Sequence, residues 1–204
     1  METKVKICGI TNLEDAEAAI EFGADALGFV FFRASPRHIP PQEAAAIISR
    51  LPAFTVTVGV FVNEDPAEIK KIVSQTGLDI IQMHGSESPA MCRAPRRIIK
   101  AIRVTSLESL DPLVHYQDLV SAFLLDSYAP GVFGGTGQIF NWDIAVEAKQ
   151  FGRIILAGGL TPDNIEDAVK RIIPYGVDVS SGVEREKGKK DHKKMKLFIR
   201  KAKA

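Results

Sequence analysis

Two residues in the chain could exchange protons with carbon or oxygen. Cys8 closes the apolar start of Lys6-Ile-Cys-Gly-Ile-Thr11, and Asp126 follows Ala122-Phe-Leu-Leu. An ionised thiol serves as base or nucleophile, although a buried Cys is more often a small apolar filler. A carboxylate at the end of an apolar run is costly unless it is paired or used. Burial would make such a carboxyl hold its proton more tightly, which suits a general acid, whereas an Asp that caps the next loop is the bland alternative. Ala157-Gly-Gly-Leu160 and Ser180-Ser-Gly-Val183 form a second kind of signal. Gly158, Gly159 and Gly182 would let backbone amides approach an anion, and Ser180 and Ser181 would add hydroxyl donors. Arg37 could fork onto a carboxylate or phosphate, or be a solvated surface side chain. His84 follows an apolar run in Gln82-Met-His-Gly85. Gly134-Gly-Thr-Gly137 lies in a long stretch, 127–138, whose length favours a functional loop, although glycines alone are a weak signal.

Other chemistries find little support. The four histidines are scattered, and neither His-Glu-x-x-His nor a Cys/His cluster occurs, so no metal site is expected. Cys8 and Cys92 make no C-x-x-C pair, and a reducing cytoplasm fits them. Cys92 sits between Pro89 and Pro95 and reads as filler. Lys and Arg (26) nearly cancel Asp and Glu (25), which argues against nucleic acid as a partner. The Lys-rich tail from Arg185 onward interleaves with Met195, Leu197, Phe198 and Ile199 and reads as a solvated helix face. The N-terminus does not resemble a signal peptide, and no apolar run is long enough to span a membrane.

The elements that must position these residues alternate. Apolar, β-rich runs occur at Val5–Ile10, Ala26–Phe31, Thr55–Val62, Asp79–Met83, Arg97–Val104, Ala122–Asp126, Arg153–Ala157 and Gly176–Val179. They are near-continuous in Val, Ile, Leu and Phe, as strands covered on both faces should be. Helical patterns lie between them. One is opened by Thr11 to Asp15 and stopped by Gly23; another starts at Pro41; a third has Asp65 as cap, Pro66 at its first position and Gly77 at its end. Further helices are expected near Ser88–Arg93 (the weakest), Ser106–Tyr116, Trp142–Phe151, Pro162–Arg171 and Asp191–Lys201.

Repeated βα units require parallel strands with right-handed crossovers. An open doubly wound sheet would satisfy the alternation, but eight units favour closure. The expected fold is therefore α/β, a single-domain (β/α)8 TIM barrel of eight parallel strands over residues 1–204. Such barrels place their sites at the C-terminal ends of the strands, and often bind phosphate after strands seven and eight. Cys8, Asp126, Arg37, His84 and both glycine–serine segments follow strands.

Nine segments in order then resemble the phosphoribosylanthranilate isomerases. They are Lys6–Asp15, Gly23–Phe31, Ser35-Pro-Arg37, Val58–Asn63, Gln82-Met-His-Gly85, Leu124-Leu-Asp126, Gly134–Gly137, Ala157–Leu160 and Val177–Glu184. The resemblance implies an Amadori rearrangement of N-(5′-phosphoribosyl)anthranilate in tryptophan biosynthesis. It implies Cys8 as general base and Asp126 as general acid, with no metal or organic cofactor. It also implies that Arg37 holds the anthranilate carboxylate, that residues 158–159 and 180–182 hold the phosphate, and that His84 and Asp178 support the site. Those roles ask for a lowered thiol pKa and a raised carboxyl pKa. Two positions depart from the family pattern: Met83 stands for a usual Leu, and Lys187 for a Pro before Gly188-Lys-Lys-Asp191. The competing readings are a non-catalytic sugar-phosphate binder and the histidine-pathway isomerase. The latter uses a carboxylate pair, which Cys8 does not match. A Schiff-base barrel would need a lysine at the barrel mouth, and Lys100 lies within a strand. Monomer and homodimer both stay open.

Overall fold

Eight apolar runs too short to be independent helices pair side by side, because only a ladder satisfies their backbone groups once both faces are buried. The computed structural model describes residues 2–94, 96–127 and 142–204. Its strands are β1 (Lys4–Cys8), β2 (Ala26–Val30), β3 (Val56–Phe61), β4 (Ile80–Met83), β5 (Arg97–Val104), β6 (Ala122–Ser127), β7 (Ile154–Leu156) and β8 (Gly176–Val179). They close into a barrel in chain order. Every pairing is parallel, and β1 meets β8 with Lys6 beside Asp178. The expectation of an eight-stranded parallel barrel holds.

Side chains alternate across each strand. One parity, with Ile7, Phe29, Phe61, Ile81, Phe123 and Leu156, packs against the surrounding helices. The other parity forms a separate interior cluster of Val58, Ile99, Ala101, Ala122, Leu124, Ile155 and Ala157. Cys8, Gln82, Asp126 and Asp178 share this second parity with Val58, Ile99, Leu124 and Gly176 through the strand registers.

The helices start where their caps dictate. In α1 (Leu13–Glu21) the Asn12 side chain accepts from the Asp15 N–H at 2.8 Å. The second helix, α2, is Pro41–Ile48. In α3 (Pro66–Thr76) Asp65 caps Ala67 and Gly77 ends the helix with φ 74°. Later helices are α4 (Trp142–Glu147), α5 (Ile165–Ile172) and α6 (His192–Ala202). Asp191 caps α6 by accepting from the Lys193 and Lys194 N–H groups.

Three expectations need correction. The Thr161-Pro162 signature lies one turn before its helix: α5 begins at Ile165. Asn164 accepts from the Thr161 N–H at 2.8 Å and donates to the Gly159 carbonyl at 2.9 Å, which ties residues 161–164 into a turn. The segments near 88–93 and 106–116 form 3₁₀ helices, Pro89–Cys92 and Leu107–His115, and Pro112 inside the second cannot donate to the carbonyl four residues back. The expected helix 142–151 finishes as a 3₁₀ turn, Ala148–Phe151. After β8, a 3₁₀ turn (Ser181–Val183) leads into an unforeseen antiparallel hairpin, β9 (Glu184–Glu186) with β10 (Lys189–Lys190). The stretch 128–141, with Gly134–Gly137, lies outside the described residues.

The Lys-rich tail does form an amphipathic helix. Met195, Phe198, Ile199 and Ala202 are buried, whereas Lys193, Lys194, Lys196 and Arg200 are exposed. Phe198→Ala should cost about 3–5 kcal/mol in urea unfolding, because the ring is fully enclosed. A loss below about 1 kcal/mol would show that α6 is not anchored by this ring.

Candidate active site

The C-terminal ends of the strands surround one pocket. All ten residues singled out from the sequence line it: Cys8, Arg37, His84, Asp126, Gly158, Gly159, Asp178, Ser180, Ser181 and Gly182. Residues separated by 172 positions of chain meet because β1 and β8 are neighbours in the closed barrel. Cys92 is buried in its 3₁₀ turn and does not line the pocket.

Cys8 ends β1, and its sulfur fits only because β2 offers Gly28 beside it. A Cβ at Gly28 would lie 2.8 Å from the sulfur and 3.0 Å from Lys6 Cε. Lys6, two residues earlier on the same face, donates to Asp178 Oδ1 at 3.0 Å; both side chains are more than nine-tenths buried. Burial pushes the Cys8 thiol up, the Lys6 charge opposes this, Asp178 adds to it and Lys190 opposes it, with a net upward shift. The lowered thiol that the general-base role asks for is therefore not found: the Cys8 thiol is raised. Burial also works against the Lys6 charge, but Asp178 and Cys8 outweigh it and leave its pKa raised.

Asp126 ends β6. Its Oδ2 lies 3.3 Å from His84 Nε2, and His84 Nδ1 lies 2.8 Å from Gln82 Nε2. The loop carrying His84 is braced from outside the barrel. Lys100 on β5 donates to Glu87 at 2.7 Å and to the Gly85 carbonyl at 2.6 Å. Lys100 is thereby tied up away from the pocket, which removes the structural basis for a Schiff-base lysine there.

Arg37 reaches the mouth of the pocket with a committed guanidinium. Its Nε and Nη2 donate to the two oxygens of Glu184, each at 2.7 Å. Glu184 takes two of its five N–H groups, and among the described residues no hydrogen bond takes the other three. Glu184 also accepts from Lys190 Nζ at 3.0 Å. Lys190 is fully buried and donates to the Cys8 carbonyl at 2.6 Å and the Ser180 carbonyl at 3.3 Å. The basic tail is thus not solvated throughout: one lysine turns inward and joins the strand ends that carry Cys8 and Ser180.

The other wall is built from glycine. Gly158 and Gly159 follow β7 with φ 77° and 66°, which side-chain-bearing residues rarely adopt. A Cβ on Gly182 would overlap the Leu160 carbonyl oxygen, so this loop closes on its neighbour only with glycine there. Ser180 Oγ is buried with no hydrogen-bond partner among the described residues. Glycine backbone and hydroxyls converging at two strand ends make a cradle suited to an anion. Arg103, at the end of β5, also lines the pocket. Sequence reading missed Lys6, Gln82, Arg103, Glu184 and Lys190. Strand parity could have found the first three; nothing local marks the hairpin pair. Among the described residues, no group of three His, Cys, Asp or Glu could hold a metal, and no helix is long and apolar enough to cross a membrane.

Comparisons with known proteins agree with one another. Residues 5–201 match the family model described as N-(5′-phosphoribosyl)anthranilate (PRA) isomerase. An N-(5′-phosphoribosyl)anthranilate isomerase of Geobacter metallireducens is 57% identical over 98% of this chain and 99% of its own length. The crystal structure of phosphoribosyl anthranilate isomerase from Thermotoga maritima superposes with a TM-score of 0.93 at 42% identity, covering 98% of each chain. Another crystal structure of phosphoribosyl anthranilate isomerase, solved with reduced 1-(o-carboxyphenylamino)-1-deoxyribulose 5-phosphate, gives a TM-score of 0.89 at 40% identity, again over 98% of each chain.

Two measurements check the electrostatics. Alkylation of Cys8 by iodoacetamide, followed by peptide mass spectrometry, should reach half its limiting rate above pH 9.0, the ordinary thiol value, and Lys6→Met should move that midpoint further up. A midpoint below 9.0 would contradict the burial argument. Burial works to raise the Glu184 pKa, but Arg37 and Lys190 outweigh it, and the group titrates below its ordinary 4.5. Its contribution to stability is therefore complete above that value and is lost as the pH falls through its folded pKa. Between pH 5 and about pH 2, the protein should lose more unfolding free energy than Glu184→Gln does. Parallel losses in both proteins would remove Glu184 from the acid response.

Proposed function

Since the chain belongs to the N-(5′-phosphoribosyl)anthranilate isomerase family, an aldose–ketose isomerase family of tryptophan biosynthesis, we propose that Cys8 and Asp126 carry out its Amadori rearrangement in this pocket. The supporting observation is that both side chains face one cavity whose far wall is the glycine–serine cradle.

The proton path balances. Asp126 gives its proton to the furanose ring oxygen, the C1′–O bond breaks, and the anthranilate nitrogen becomes the iminium of a Schiff base. Cys8, as thiolate, takes the proton from C2′, and the C2′–H electron pair forms the enolamine. Loss of the O2′ proton and protonation at C1′ then give the ketone, 1-(2-carboxyphenylamino)-1-deoxyribulose 5-phosphate. The proton gained at C1′ offsets the one lost at C2′, and the proton lost from O2′ offsets the one Asp126 supplied. The enzyme ends as it began.

The raised thiol is compatible with this order of events. Lys6 and Lys190 oppose the effects of burial and Asp178 without overcoming them. Iminium formation brings another positive charge into the pocket, and a nearby cation favours the thiolate. The phosphate is assigned to Gly158, Gly159 and residues 180–182, and the carboxylate to the N–H groups of Arg37 that Glu184 leaves over. His84 and Asp178 act through Asp126 and Lys6.

A positioned acid or base contributes about 10²–10⁴ in rate. Cys8→Ala and Asp126→Asn should each lower kcat by about that factor while binding of the reduced product analogue changes by less than about tenfold. Loss of substrate fluorescence follows the turnover. Unchanged turnover in Cys8→Ala would exclude the thiol as base and favour a different proton acceptor.

A further inference from the structure

Gln82 has no place in the reaction as described, yet it is fully buried on the pocket wall. The two ends of its amide are in different situations. Nε2 lies 2.8 Å from His84 Nδ1. Oε1 is buried and has no hydrogen-bond partner among the described residues. As placed, the amide nitrogen donates to His84 Nδ1, and a neutral imidazole then carries its hydrogen on Nε2; the flipped amide would call for hydrogen on Nδ1 and set a bare Nε2 lone pair against the Asp126 oxygen. That nitrogen lies 3.3 Å from Asp126 Oδ2.

We propose that Gln82 positions Asp126 by holding His84 in the Nε2–H tautomer, and that its Oε1 accepts a hydrogen bond from a hydroxyl of the bound pentose. The ligand class follows from what already lines the pocket. An amide oxygen repels phosphate and carboxylate, and both anions have better places, at the glycine–serine cradle and at Arg37. A sugar hydroxyl is the donor that lies between them. A buried acceptor without a donor is costly, so binding the sugar relieves a deficit that phosphate alone leaves in place. The identity of the sugar phosphate rests on the isomerase reading, whereas the tautomer does not.

Long-range ¹H–¹⁵N spectra of the histidine-labelled, ligand-free protein read the tautomer without turnover, with the His84 signals identified by their loss in His84→Asn. The Nε2–H pattern is expected in the wild type and a mixture of tautomers in Gln82→Met. An Nδ1–H pattern in the wild type, or unchanged His84 signals in Gln82→Met, would overturn the positioning role even if the enzyme is a fully active isomerase. For the second contact, Gln82→Met should weaken the reduced product analogue about tenfold and leave inorganic phosphate affinity unchanged. Equal effects on both probes, or none on either, would remove the hydroxyl contact. If Gln82→Met fails to fold, the wild-type spectrum still decides the tautomer, and Gln82→Asn, whose shorter amide withdraws from both partners, replaces it in the binding comparison.

Discussion

Closure of the barrel governs everything else in this molecule. A closed ring of parallel strands gives every strand one inward parity, and only the last inward residue of each strand reaches the mouth. Cys8, His84, Arg103, Asp126, Ala157 and Ser180 hold or adjoin those terminal positions. The site is therefore assembled by counting in twos along separate strands. An insertion of one residue within β1 would turn Cys8 outward and carry Lys6 away from Asp178.

Interior charge is the second constraint. A barrel this small has little room for water, so each buried ion needs a partner. Lys6 meets Asp178 across the β1–β8 seam, Lys100 meets Glu87 behind the β4 loop, and Lys190 and Arg37 converge on Glu184. Breaking a buried pair by deleting one partner typically costs about 3–5 kcal/mol, far more than an exposed pair contributes. Two of these clusters also adjoin Cys8. The residues that hold the mouth of the barrel together therefore also set the charge felt by the thiol. Lys190 shows this most directly, since one ammonium joins the carbonyls of Cys8 and Ser180 to the carboxylate that orients Arg37.

Much of this was legible in the residues. Strand positions were readable because buried parallel strands are continuous in apolar residues, and the Asn12, Asp65 and Asp191 ends because capping is a local interaction. Nine of the ten candidate residues were reachable because they end or follow strands, whereas Asp178, inside β8, came only from the family resemblance. The failures share a cause. Lys190 looks like its solvated neighbours in a basic run, and only a hairpin formed after β8 turns it inward. Arg37 read as a free fork because Glu184 is 147 positions away. Thr161 does accept from the Asp163 N–H, as a cap would, but Asn164 ties back to Thr161 and Gly159, so residues 161–164 form a turn and the helix starts only at Ile165. The direction of the Cys8 shift depends on the balance of burial, Lys6, Asp178 and Lys190, which no spacing rule supplies.

Turnover in this pocket requires one sugar phosphate to touch the thiol, the carboxyl and the cradle together. A crystal structure of this chain with the reduced product analogue tests that most directly. The predicted result has phosphate oxygens on the backbone of Gly158, Gly159 and Gly182, Cys8 Sγ within about 4 Å of C2′, and an Asp126 oxygen at about 3 Å from the 4′-hydroxyl that was the ring oxygen. Phosphate bound elsewhere, or a sulfur more than about 6 Å from C2′, would contradict it.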